Sequence, residues 1–123
     1  MRLSRVVLGV LVTITLCMGL GASQTLQSDR RNFWALNNTT KEIRNFYVSP
    51  HSSDQWGDDV LGRATLPDGM GTLIYFTPGS QTGCVFDFKL VYSDGTAQQY
   101  VQGTNVCEIR AVQFNSDTLE LFQ

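Results

Sequence analysis

His51 is the only histidine in this 123-residue chain, and it stands in the passage Y-V-S-P-H-S-S-D-Q-W-G-D-D-V-L-G, residues 47–62, close to Ser49, Ser52, Ser53 and Asp54. Those residue types supply a nucleophile, a general base and an orienting carboxylate, and any imidazole-based hydrolysis by this protein must run through His51. A working triad needs groups that converge on one point, whereas near neighbours along the chain usually point apart. The same passage offers a second chemistry. Asp54, Asp58 and Asp59 share the loop and Asp94 occupies a later turn, a set of hard oxygen donors that suits calcium if loops from one end of the fold meet. Their spacing lacks the D-x-D-x-D-G order of a dedicated calcium loop. The third chemistry is recognition. Trp56, with Tyr47 and His51 nearby, offers a large rigid surface that can anchor a partner. Alternatively, Trp56 turns inward and plugs the end of the fold, with Gly57 permitting the bend.

No other cofactor is expected. The glycines from Gly57 to Gly103 are scattered and never assemble into a phosphate-cradling loop between a strand and a helix; they punctuate turns.

The compartment is legible at the amino end. Arg2 and Arg5 precede an apolar or small run from Val6 to Leu20, followed by Gly21, Ala22 and Ser23, which is the layout of a secretory signal peptide. The run is shorter than the roughly 20 residues of a membrane span. We therefore expect residues 1–23 to be cleaved and the mature protein to be periplasmic or extracellular, with no stable membrane insertion. Cys17 leaves with the signal, and Cys84 and Cys107 remain as an even pair in an exported chain, which reads as one disulfide. Removing Arg2 and Arg5 leaves 7 of the 9 basic residues against 11 acidic ones, so the formal charge moves from −2 to −4. That balance argues against nucleic acid or an anionic lipid surface as a partner, since both are held by clustered Lys and Arg.

The groups above must be positioned by strands. Residues 24–32 are polar and unpatterned and read as a flexible leader before a domain at 33–123. F-W-A-L-N (33–37), the turn formers Asn38-Thr39-Thr40 and E-I-R-N-F-Y-V-S (42–49) suggest a hairpin, with Trp34 packing in the core or on a sheet face. V-L-G-R-A-T-L (60–66) suggests a further strand before the turn Pro67-Asp68-Gly69, and G-T-L-I-Y-F-T (71–77) another before Pro78-Gly79. In C-V-F-D-F-K-L-V-Y (84–92), Cys84, Phe86, Phe88, Leu90 and Tyr92 alternate with the other residues, the mark of a half-buried strand. S-D-G-T (93–96) is a hairpin signal; a four-residue loop would face Ser93 with Gln98 and bring Cys84 opposite Cys107. E-I-R-A-V-Q-F and T-L-E-L-F complete the set. About seven or eight short strands predict an all-β fold, a single small antiparallel β-sandwich with one disulfide.

The segment from Phe33 to Gly62 resembles a family of small exported bacterial proteins of unknown function with the patterns F-x-L-x-N, I-x-x-x-Y-V-S-P and W-G-x-D-x-L-G. The last two stand here at residues 43–50 and 56–62. Some members carry the names argininosuccinate lyase or twin-arginine (Tat) pathway signal protein. The lyase is a much larger helical enzyme whose motifs are absent here, and Arg30-Arg31 follows the apolar run instead of preceding it. The resemblance implies export and a compact all-β domain and no established activity; it also implies packing and turn roles for Tyr47, Trp56, Gly57 and Leu61, with Asp59 capping the turn at D-D-V-L or binding an ion. The function expected from the sequence is a non-enzymatic exported module that binds a protein or other envelope component through the Trp56 loop. The alternatives are a calcium-binding domain at residues 54–59 and a small hydrolase built on His51.

Overall fold

Phe86, Phe88, Leu90 and Tyr92 are buried on one face of strand β4 (Val85–Tyr92), as the period-two pattern requires. The computed structural model describes residues 29–79 and 83–123; the expected signal peptide at 1–23, Cys17 and residues 24–28 of the leader lie outside the described residues. Besides β4 the chain forms β1 (Phe33–Asn38), β2 (Ile43–Pro50), β3 (Gly71–Ile74), β5 (Ala97–Asn105), a 3₁₀ turn at Val106–Glu108, β6 (Ala111–Asn115) and β7 (Thr118–Phe122). The strands make two sheets, one ordered β3-β1-β6-β7 and the other β2-β4-β5. The protein is thus a small all-β sandwich. Among the described residues no helix is long and apolar enough to cross a membrane.

The core between the sheets is aromatic. Phe33 and Phe114 come from one sheet and Phe46, Phe86 and Phe88 from the other, all fully buried. Ring centroids lie 5.6 Å apart for Phe33–Phe88, 5.4 Å for Phe46–Phe114 and 5.5 Å for Phe88–Phe114, the last two edge to face. Such pairs add about 0.5–1.5 kcal/mol each beyond the area they bury.

Four details differ from expectation. First, β1 and β2 are not a hairpin; they belong to opposite sheets. Buried Asn37 donates from Nδ2 to the carbonyls of Lys41 and Leu66, at 2.8 and 2.9 Å, and accepts on Oδ1 from the Thr39 N–H and hydroxyl, so its side chain takes up the groups that a hairpin ladder would pair. Thr40 follows at φ 73°, a conformation costly for a β-branched residue, and the Asp68 carboxylate accepts its N–H at 2.9 Å. Second, β6 runs parallel to β1, with Trp34 beside Ala111, because the chain crosses from β5 to the other sheet and enters it in the direction of β1. Third, residues 60–66 form turns, with a single bridge of Leu66 to Ile43. Fourth, the β4–β5 turn is one residue tighter than expected. Tyr92 N–H donates to the Thr96 carbonyl, Gly95 sits at φ 90°, and Val91 faces Ala97. A bulge between Phe88↔Tyr100 and Phe86↔Thr104 then shifts the register.

The disulfide forms in spite of that register. Val106 N–H donates to the Cys84 carbonyl, the Asn105 side chain accepts from Cys107 N–H, and the 3₁₀ turn so held presents Cys107 to Cys84 with their Cα atoms 5.5 Å apart. Trp34 lies on the outer face of its sheet, half exposed.

The last part of the expected leader is built into the fold. Arg31 is buried and holds Asp29 through Nε and Nη2, at 3.0 and 2.7 Å, while its guanidinium stacks over the Phe76 ring. Asn32 accepts the Phe76 N–H on Oδ1. This corner fixes the segment that follows β3.

Replacing both Cys84 and Cys107 with serine should lower the unfolding free energy by about 3 kcal/mol on the loop-closure account, read as a shift of the urea midpoint; coincident midpoints would show that the bridge contributes nothing. The Arg31 hydrogen bonds hold the Asp29 carboxyl down to about 2. With the folded value below the unfolded one, this contribution is present above about pH 4 and lost as pH falls through the folded value. The melting-temperature gap between wild type and Asp29→Asn should therefore be open near neutrality and narrow as pH falls toward about 2; a gap independent of pH would contradict it.

Candidate functional site

Ser49 on β2 and Asp87 on β4 face each other across the outer surface of the three-stranded sheet, yet both are buried, because the loop after Pro50 folds back over them. The loop is shaped by its own polar groups. Ser53 N–H donates to the Pro50 carbonyl, and the hydroxyls of Ser49 and Ser53 both donate to the Gln55 carbonyl, at 2.6 and 3.1 Å. Asp59 clamps the return. Its Oδ1 accepts from the N–H groups of Phe46 and Leu61, at 2.8 and 3.0 Å, and its Oδ2 accepts from Asn45 Nδ2 at 2.9 Å. Val60 N–H then donates to the Phe46 carbonyl. Of the two roles implied for Asp59, the geometry is that of the cap.

His51 finds its carboxylate in Asp87, not in its neighbour Asp54. Nδ1 and Asp87 Oδ1 are 2.9 Å apart. A carboxylate only accepts, so a proton sits on Nδ1. Gly103 makes room for the ring: it sits at φ 80° in the β5 bulge, and a Cβ there would lie 3.2 Å from His51 Cγ and Nδ1. The base and orienter of a triad are therefore adjacent. The serine hydroxyls of Ser49 and Ser53 give their protons to Gln55, and among the described residues none hydrogen-bonds to the imidazole. Sequence reasoning missed Asp87 because it occupies the exposed-face position of an alternating strand.

The four aspartates proposed for calcium do not converge. Asp94 lies in the β4–β5 turn, at the Ile43↔Tyr92 end of the sheet, whereas residues 51–58 cover the Pro50↔Phe86 end. Asp94 accepts from the Thr96 N–H and hydroxyl and pairs with Lys41 Nζ at 2.9 Å, contacts that hold its carboxyl well below the usual range. Asp59 is engaged as described, and Asp54 and Asp58 are exposed. Among the described residues no group of three His, Cys, Asp or Glu side chains is placed to hold a metal ion.

Trp56 meets a concave surface. It lines a groove of about 640 Å³ between the β2 side of one sheet and the segment after β3 in the other, together with Val48, Pro50, Ile74, Tyr75 and Phe76. Trp56 is partly buried, so it is a wall and not a full plug, and Tyr75 is 74 % exposed. Both flanking strands are the outer strands of their sheets. Phe46 turns its N–H and C=O away from β4, toward Asp59 and Val60, and by the two-residue period Val48 does the same, toward the groove. β3 is the outer strand of its sheet. Tyr47 does not line the groove; its ring lies under Lys89 Nζ at 5.6 Å on the outer face. Tyr75 and Phe76 were not singled out in the sequence, where they read as ordinary strand residues.

No family model, no curated protein and no solved structure matches this chain. The class is therefore defined by the fold itself: a disulfide-bonded sandwich with seven strands among the described residues and an aromatic groove on one flank.

Asp59→Ala should cost about 2 kcal/mol, since it leaves the N–H groups of Phe46 and Leu61 without their acceptor; amide exchange at those two positions should quicken while the core of β4 stays protected, and unchanged exchange would show that the clamp is not needed. Millimolar calcium should leave the melting temperature of the oxidised protein where a chelator leaves it, and a rise of several degrees would reinstate the aspartate loop as a metal site.

Proposed function

We propose that this chain is an exported, non-enzymatic binding module that takes an extended segment of an envelope protein into the groove beside Trp56. The observation that carries the reading is that an exposed Tyr75 and a partly buried Trp56 line one groove between the outer strands of the two sheets. Trp and Tyr are the residues that most often dominate binding energy at protein interfaces. An unpaired strand edge accepts an extended peptide through main-chain hydrogen bonds, with side-chain pockets adding selectivity. The amino-terminal basic and apolar pattern and the Cys84–Cys107 bridge support residence in an oxidising compartment.

Panning a random peptide library displayed on phage against the oxidised protein tests this. Sequences should be enriched whose retention is lost in Tyr75→Arg and kept in Met70→Arg, an exposed position outside the groove. Equal retention by wild type and Tyr75→Arg would refute the assignment.

A further inference from the structure

A second cavity of about 180 Å³ adjoins the groove and shares Ser49, Ser53, Gln55 and Trp56 with it. It is bounded by Asp87 and Val101 on the sheet and by Asp54 and Trp56 on the loop. The Asp87 side chain is only 10 % accessible. Its Oδ1 accepts from His51, and its Oδ2 receives no hydrogen bond among the described residues. Among the described residues no lysine or arginine lines the cavity. A carboxylate in that position has lost most of its water and recovered one donor, so a further donor or a positive charge there offsets a standing cost.

The volume is below the roughly 300–1,000 Å³ of pockets that take drug-sized ligands and suits the few atoms at the tip of one side chain. The chemistry of the walls is equally restrictive: a buried acid, a second acid at the mouth and an indole. An aromatic face attracts a cation, more so where water is excluded. We propose that this pocket receives the ammonium or guanidinium tip of a lysine or arginine from the polypeptide held in the groove, with Asp87 as counter-ion, Asp54 at the entrance and Trp56 as the aromatic wall. The inference rests on the groove reading for the source of the side chain, while the pocket's preference for a cation follows from its own residues. His51 acts as a positioning residue, fixing the Asp87 carboxylate through Oδ1 so that Oδ2 is presented.

The test uses the oxidised protein with Trp34→Phe, which leaves Trp56 as the single fluorophore of its kind. N-acetyl-lysine methylamide and N-acetyl-arginine methylamide are titrated against N-acetyl-glutamine methylamide, a neutral probe of similar length. The basic amides should change the Trp56 emission saturably and the glutamine amide should not, and Asp87→Asn should weaken binding by at least about tenfold. Because Asp87→Asn disturbs the His51 bond, Val101→Lys serves as a second variant: it leaves His51–Asp87 untouched and places an ammonium in the cavity wall, and it should suppress binding as well. No response to either basic amide up to its solubility limit, an equal response to the glutamine amide, or unaltered affinity in both variants would overturn the assignment. Amide binding without any peptide retained by the groove would uphold the pocket and sink the groove reading. Peptide retention with no basic preference and no amide response would do the reverse.

Discussion

Five phenylalanine rings hold the two sheets of this protein together, and the rest of the structure depends on that contact. Phe33 and Phe114 on one sheet meet Phe46, Phe86 and Phe88 on the other, and Phe88 and Phe114 stand edge to face at 85°. A domain this small buries a limited share of its surface, so the stabilisation per buried residue must be high, and aromatic rings carry the largest apolar area per position. The disulfide ties the Cys84 end of β4 to the 3₁₀ turn that leads into β6, so the crossing between sheets is covalently pinned close to where the core ends.

Packing two short sheets face to face leaves their edges to be managed. On the β2 side the chain solves this with one side chain and loop backbone in place of a further strand. Asp59 takes two backbone N–H groups, Val60 covers the Phe46 carbonyl, and Leu66 bridges Ile43. The cover stops short of Val48, and the Trp56 loop arches over the sheet from there, burying Ser49 and Asp87 beneath it. Across the gap, the Arg31–Asp29 corner and the Asn32 side chain hold Phe76 and its neighbours in place. The groove is thus the seam where two edge solutions fail to meet, and both of its walls are anchored by carboxylates bonded to fixed donors.

The parts of this arrangement that were legible in the sequence are those encoded locally. Alternation along residues 84–92 and an even cysteine pair in a chain whose amino end reads as an export signal lead to a half-buried strand and a bridge, because period two and the cysteine count need no knowledge of distant residues. The crossing of β1 to β2 was not legible. Asn38-Thr39-Thr40 turns equally well within a sheet or between sheets, and the choice is made by Asn37 bonding to Leu66, 29 residues away. The aspartate passage offered a metal loop only as an alternative to turn formers and solvated acids; Asp59 serves Phe46, and Asp94 serves Thr96 and Lys41 at the other end. Likewise the partner of His51 lies 36 residues on, at a position whose burial comes from a loop laid over the strand and not from the strand pattern.

The central claim is that the flank beside Trp56, and not the outer face of the four-stranded sheet with its exposed Trp34 and Phe122, is the binding surface of this protein. Its most direct test is to add a short extended peptide with one central lysine to the isotopically labelled, oxidised protein and map the backbone amide shifts by NMR. The account predicts progressive shifts confined to residues 48–57, 74–77 and the neighbourhood of Asp87, with Trp34 and Phe122 unmoved. Shifts centred on Trp34, Ala111 and Phe122, with the Trp56 loop unchanged, would contradict it.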